Sequence, residues 1–180
     1  MKIFDTKFSD CKIIQPIVHD DNRGIFKEIY TSKNYANNLP QSTKFVQDNF
    51  SVSKKGVLRG LHFQKNFPQA KLVYVTLGKV FDVIVDLREN SPTFGQWESY
   101  DLSQENHLQL FIAPGFAHGF LALSNTVHLM YKCSAYYHPE DEHTIHWKDS
   151  YLDISWPAGI EISTSPKDSL GKKLSYFFDL

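Results

Sequence analysis

Cysteine is nearly missing from this 180-residue chain. There are two, Cys11 and Cys133, far apart and in no C-x-x-C pattern. That excludes a disulfide scaffold and a cysteine-based zinc site, and it fits a reducing compartment. An excess of one charge is missing too. The 19 Lys and Arg nearly balance the 20 Asp and Glu, leaving a formal net charge of −1. No basic block is present to hold a polyanion, so no nucleic-acid partner is expected. Long apolar runs are also absent. The stretch VFDVIVDLR is broken by Asp82 and Asp86, and LFIAPGFAHGF by Pro114-Gly115. Neither can span a bilayer, so no membrane partner is expected. The opening MKIFDTKFSDCK lacks the apolar core of a signal peptide. With no repeat, linker or low-complexity segment, one cytoplasmic domain over residues 1–180 is expected. That length is enough for a core without staples.

What is abundant is aromatic: 14 Phe, 9 Tyr and 3 Trp. The apolar period is mostly two. In Val80–Leu87 the residues Phe81, Val83, Val85 and Leu87 fall on one face, and Asp82 and Asp86 on the other. Lys71–Leu77 precedes it across a turn containing Gly78, a hairpin pattern. Further strands are expected at Ile13–Val18, Ile25–Tyr30, Lys44–Ser51, Val57–Phe63, Trp97–Leu102, Gln109–Ile112, His118–Leu123 and Val127–Ser134, all rich in β-branched and aromatic residues. A short helix is expected over Ser32–Asn38 with Ser32 as its N-cap, and another after Ser165-Pro166-Lys167-Asp168. Many short strands separated by turns indicate an all-β sandwich or closed barrel. Small barrels hold ligands among inward-facing side chains, so function is sought there.

The segment GVLRGLHFQ, residues 56–64, concentrates the chemistry. Strict alternation puts Val57, Arg59, Leu61 and Phe63 on one face and Leu58, Gly60, His62 and Gln64 on the other. A His–Gln pair on an apolar strand is unusual for a pure core, although a hydrogen-bonded core histidine remains an alternative. The segment resembles the first cupin motif. Metal-binding cupins carry His, His and Glu at comparable positions; here they are His62, Gln64 and Lys71. An ammonium repels a dication, so these residues point to a barrel that holds no metal. IAPGFAHGF, residues 112–120, sets His118 after a Pro-Gly turn and approximates the second cupin motif. Read singly, Tyr131 in HLMYKCSAYY is a core tyrosine and Asp168 in SPKDS a helix cap.

Jointly, these residues resemble the dTDP-4-dehydrorhamnose 3,5-epimerase family. The matching strings are DNRGIFKE (21–28), FVQDNFSVSKKGVLRGLHFQ (45–64), QAKLVYVTLGKVFDVIVDLR (69–88), SPTFGQW (91–97), GFAHGF (115–120), YKCSAYYHPEDE (131–142), ISWP (154–157) and SPKD (165–168). They run in order along almost the whole chain. The resemblance implies a cupin-type jelly-roll barrel with short peripheral helices, a homodimer, and a dTDP-linked 4-keto sugar as substrate. It implies no metal and no redox cofactor. The family's base falls on His62 with Asp168 as its carboxylate, its acid on Tyr131, and its lysine near the keto oxygen on Lys71. Substrate contacts fall on Arg23, Glu28, Gln47, Asn49, Arg59, His118, Glu142 and Lys167, with Tyr137 stacking on thymine. The Arg23–Glu28 segment is expected to serve the neighbouring subunit's site. One departure is visible: Ala113-Pro114-Gly115 shifts the family's proline by one position. The tail KKLSYFFDL matches no motif.

The chemistry suits the residues. Epimerisation beside a ketone needs a base on one face, an acid on the other and a stabiliser for the enolate oxygen. Histidine accepts protons near neutrality, and a tyrosine of pKa near 10 suits a donor to a carbanion. Guanidinium forks match a diphosphate. Three other readings use the same residues: an epimerase acting at C3 or C5 alone, a metal-dependent cupin oxygenase, and a non-catalytic nucleotide-sugar binding domain. Gln64 and Lys71 speak against the second, and the joint presence of His62, Asp168 and Tyr131 against the third.

Overall fold

The computed structural model describes residues 1–36, 38–39 and 43–180. The strands are β1 (Lys2–Asp5), β2 (Lys12–Gln15), β3 (Val18–Asp21), β4 (Gly24–Lys27), β5 (Gln47–Lys54), β6 (Leu58–Gln64), β7 (Lys71–Leu77), β8 (Lys79–Asp86), β9 (Trp97–Ser103), β10 (Gln109–Ile112), β11 (Phe116–Ala122), β12 (Thr126–Cys133) and β13 (Glu142–Thr144). Two short helices accompany them, α1 (Ser32–Ala36) and α2 (Pro166–Ser169). A six-stranded sheet in the order β1-β2-β10-β7-β12-β5 faces a five-stranded sheet in the order β13-β6-β11-β8-β9. Strands β3 and β4 form a separate two-stranded hairpin. From β5 to β13 every connection crosses from one sheet to the other except that between β8 and β9. This is the jelly-roll barrel of the cupin type.

The crossings overturn one expectation. Strands β7 and β8 are not a hairpin; they lie in different sheets. Gly78 makes the crossing, with φ of +79° and no room for a side chain, since a Cβ would come within 2.4 Å of the Thr126 carbonyl oxygen. A glycine between two strands is equally compatible with pairing and with crossing, so the local pattern could not decide. Strands β1, β3 and β13, of three or four residues each, were not among the expected strands. The first helix ends at Ala36, residue 37 of its expected range lying outside the described residues. Its cap is Thr31 rather than Ser32: Asn34 N–H donates to Thr31 Oγ1 at 3.3 Å.

The core has two parts. On the faces that the two sheets turn to each other pack Val73, Val75, Ile84, Leu110, Phe116, Phe120 and Leu129. On the outer side of the five-stranded sheet pack Leu61, Phe63, Val83, Val85, Ile145, Leu152, Leu174 and Phe178. The C-terminal tail, silent in the sequence, therefore covers a sheet face. Lys172 bridges to Ile145, and Leu174 N–H donates to the buried Asp149.

Strict alternation fails once, and at the decisive place. On β11, His118 pairs with His62 and Phe120 pairs with Arg59, so three residue steps on β6 oppose two on β11. Partners across a pair share a face, so this bulge turns Arg59 to the side carrying His62, not the opposite one. Two glycines permit it. Gly60 has φ of +117° and lies so close to β11 that a Cβ would meet Gly119 Cα at 2.7 Å.

At the end of β8, the fully buried Asp86 organises the turn that follows. It accepts hydrogen bonds from the Arg88 backbone and guanidinium and from the Ser91 and Thr93 hydroxyls. Burial favours the neutral acid, but these donors outweigh it and hold the carboxyl at about 2. A carboxyl with a lowered folded pKa contributes stability above its unfolded value, and loses it as pH falls toward the folded one. Asp86→Ala is expected to cost about 3–5 kcal/mol at neutral pH, and the difference from wild type should shrink as pH falls below ~4. Urea unfolding at several pH values checks this; a pH-independent difference would contradict it.

Candidate active site

A cleft of about 270 Å³ opens between the two sheets. Period two explains its lining. Register pairs Gln47 on β5 with Cys133 on β12, Asn49 with Tyr131, and Lys71 on β7 with Cys133. These five side chains line one wall. His62 and Gln64 of β6, with Glu142 of β13 paired to Gln64, line the facing wall.

On the β6 wall, His62 Nε2 and Asp168 Oδ1 are 2.6 Å apart. Asp168 arrives on α2, whose N-cap Ser165 accepts from the Asp168 backbone N–H at 3.1 Å. Pro166 fills the first helical position, where its missing N–H costs nothing. Burial works against the Asp168 charge, but contacts with His62, Ser165 and the Gly60 backbone outweigh it and hold the carboxyl below the usual range. The dyad orients the ring and stabilises it when protonated, while leaving the other ring nitrogen for a proton from the cleft.

On the opposite wall, burial lowers the Lys71 pKa, an effect opposed by the charges of Cys133, Glu142 and Asp82. Its ammonium lies 5.9 Å from the centre of the Tyr131 ring. Burial raises the Tyr131 pKa, as do Cys133 and Glu142, against Arg59. A buried phenol with a raised pKa keeps its proton until a strong base meets it. The arrangement can therefore remove a proton from one side of a molecule in the cleft and return one from the other.

At the rim, Tyr137 is half-exposed, and its hydroxyl donates to Glu142 Oε2 at 2.6 Å. Lys167 forms a short ion pair with the same oxygen. The Tyr137 backbone N–H donates to Gln47 Oε1 at 3.1 Å, and Gln47 donates to Asn49 at 3.0 Å.

The structure thus brings His62, Lys71, Tyr131, Asp168, Gln47, Asn49, Tyr137, Glu142 and Lys167 together. Asp168 and Lys167 join the cleft through His62 and Glu142, and four expected residues stand apart from it. Arg23 lies in the exposed turn between β3 and β4, paired with Asp21 at 2.6 Å. Glu28 accepts from Asn34 at 2.7 Å. Arg59 donates to Ser53 and to the Val52 carbonyl. His118 is buried behind the cleft, with Nε2 2.9 Å from both Asp82 oxygens. That second His–Asp pair was missed. Its signal was present in Asp82, an acidic residue flanked by Val80 and Ile84 on its strand face. Among the described residues, no cluster of three His, Cys, Asp or Glu side chains could hold a metal ion.

The bond to Glu142, more than partial burial, pushes the Tyr137 phenol up to about 12. Glu142→Gln removes the charged acceptor. An ultraviolet pH titration should then show one additional phenol ionising near ~10 compared with wild type. Superimposable titrations would contradict the rim geometry.

Comparison with known proteins matches this architecture. A family model described as dTDP-4-dehydrorhamnose 3,5-epimerase matches residues 5–175. A relative of that name from Neisseria gonorrhoeae is 48% identical over 172 residues, covering 96% of this chain and 52% of its own. The chain thus spans about half the length of that relative. The Salmonella typhimurium relative of the same name is 46% identical over 170 residues, covering 94% of this chain and 93% of its own. Among solved structures, the dTDP-6-deoxy-D-glucose-3,5-epimerase RmlC of Legionella pneumophila, in complex with dTDP-4-keto-L-rhamnose, superimposes with a TM-score of 0.95 at 50% identity, covering 98% of this chain and 94% of that one. The chain belongs to the dTDP-4-dehydrorhamnose 3,5-epimerase family.

Proposed function

We propose that this protein inverts C3 and C5 of dTDP-4-keto-6-deoxy-D-glucose to give dTDP-4-keto-L-rhamnose, in dTDP-L-rhamnose biosynthesis. The observation that carries this reading is the His62–Asp168 dyad on one wall of a cleft whose other wall holds Tyr131 and Lys71. The C4 ketone acidifies the C–H bonds at C3 and C5. His62 takes the proton, the bonding electrons move onto the C4 oxygen, and Asp168 balances the imidazolium. Lys71 stabilises the enolate oxygen, a contribution of about 3–4 kcal/mol for a preorganised donor. Tyr131 then protonates the same carbon from the opposite face, which inverts it. Protons return to Tyr131 and leave His62 through solvent, so the cycle is redox-neutral. C3 and C5 flank the carbonyl symmetrically, so one base and one acid serve both.

The nucleotide lies along the rim. Tyr137 stacks on the thymine, a contact worth about 1–3 kcal/mol. Arg59 and Lys167 meet the diphosphate, with Gln47, Asn49, His118 and Glu142 around the sugar and its linkage. Arg23 and Glu28 belong to the site of a partner copy in a homodimer. Two features support this. Among the described residues, hairpin β3–β4 is hydrogen-bonded to no other strand, and Phe26 on it is 71% exposed. An isolated two-stranded hairpin is marginal in water, and an exposed aromatic on it fits a partner surface. A cytoplasmic location agrees with both cysteines being free and buried.

Incubation of the protein with this sugar in deuterated water tests the reading. Deuterium should enter at both C3 and C5, and a reductase should trap an L-configured product. Exchange at one carbon alone would favour the single-site alternative, and no exchange would refute the proposal. His62→Ala should lower turnover about 10²–10⁴-fold while dTDP still binds. Near-normal turnover would put the base elsewhere.

A further inference from the structure

Gln64 stands where metal cupins carry a histidine, and nothing above assigns it a task. It is 7% exposed, so its amide needs partners. It finds them in the segment that carries Tyr137. Gln64 Oε1 accepts from His138 N–H at 2.9 Å, and Gln64 Nε2 donates to the Tyr136 carbonyl at 3.4 Å and to the Phe67 carbonyl at 2.8 Å. One side-chain amide therefore grips the backbone on both sides of Tyr137. Two further glutamines complete the hold. Gln69 Nε2 donates to the carbonyls of Ala135 and Tyr136, and Gln47 Oε1 accepts from Tyr137 N–H. Residues 134–138 lie in no strand, so these amides supply the hydrogen bonds a neighbouring strand would otherwise provide. The Phe67 ring, tethered to Gln64 through its own carbonyl, stacks on His138 at 4.1 Å.

We infer that Gln64 is a positioning residue for nucleotide recognition: it fixes the backbone flanking Tyr137, and so sets the aromatic platform for the base of a nucleoside diphosphate sugar. This rests on the function proposed above. Gln64 lies two residues from His62 on β6, but among the described residues its amide bonds only to the backbone of Phe67, Tyr136 and His138. A substitution here should move the platform, not the base, so the loss falls on nucleotide affinity and KM rather than on kcat.

Gln64→Leu removes the amide while keeping an apolar filling, and Gln64→Asn shortens it by one methylene so that it cannot span both flanks. The probe is dTDP, without sugar, titrated calorimetrically against the full-length protein. Both variants should bind dTDP about tenfold more weakly, the scale of one impaired stacking contact, with a matching rise in KM. In a Tyr137→Ala background the further loss from Gln64→Leu should be under about twofold, because the effect runs through Tyr137. If Gln64→Leu does not fold, Gln64→Asn decides. Wild-type dTDP affinity in a folded variant would overturn the inference, as would a loss that falls on kcat alone or persists undiminished without Tyr137. A wild-type protein that does not bind dTDP would overturn the proposed nucleotide and the inference with it.

Discussion

The bond between His62 and Asp168 joins a strand of the barrel to a helix 106 residues later, and the arrangement of the cleft depends on it. Neither end could hold this geometry alone. Helix α2 has four residues, far too few to persist by itself. It is held by the Ser165 cap before it and by the tail after it. That tail bridges to Ile145, binds Asp149 and buries Leu174 and Phe178 on the outer side of the sheet. On the other end, the bulge at Gly60 brings Arg59 round to the side of His62, and the Gly60 backbone also helps hold the Asp168 charge. Packing outside the barrel thus fixes the His62–Asp168 pair inside it.

The same frame separates opposing chemistries. Successive strands cross between sheets, so residues near in sequence, such as His62 and Lys71, reach the cleft from opposite walls. Desolvation acts in opposite directions on two side chains of one wall. It weakens the hold of Lys71 on its proton and strengthens that of Tyr131. A lysine stands at the position of a cupin metal ligand, and the glutamine at another such position hydrogen-bonds the backbone on both sides of Tyr137.

Much of this was legible in the sequence, for physical reasons. Period two marked β7, β8, β10 and β12 to within a residue or two, because both sheets bury a face. RGLHFQ and SPKD named His62 and Asp168, which meet at the cleft, whereas His118 of GFAHGF lies behind it. What was not legible depends on the third dimension. Gly78 signals a turn but not whether the chain pairs or crosses. The bulge at Gly60 breaks alternation through its close approach to Gly119, which no local pattern records. His118 and Asp82 are 36 positions apart, and register alone makes them neighbours. Leu174 and Phe178 are apolar residues in a short tail, without a period that reveals the face they cover.

The central claim is that proton removal and proton return occur from opposite walls, by different residues. The most direct test is Tyr131→Phe in deuterated water, following exchange and inversion together. With the base intact and the opposing acid gone, substrate should still exchange its protons while inversion falls by at least about 10²-fold. Equal loss of exchange and inversion would contradict the account and return Tyr131 to a structural role.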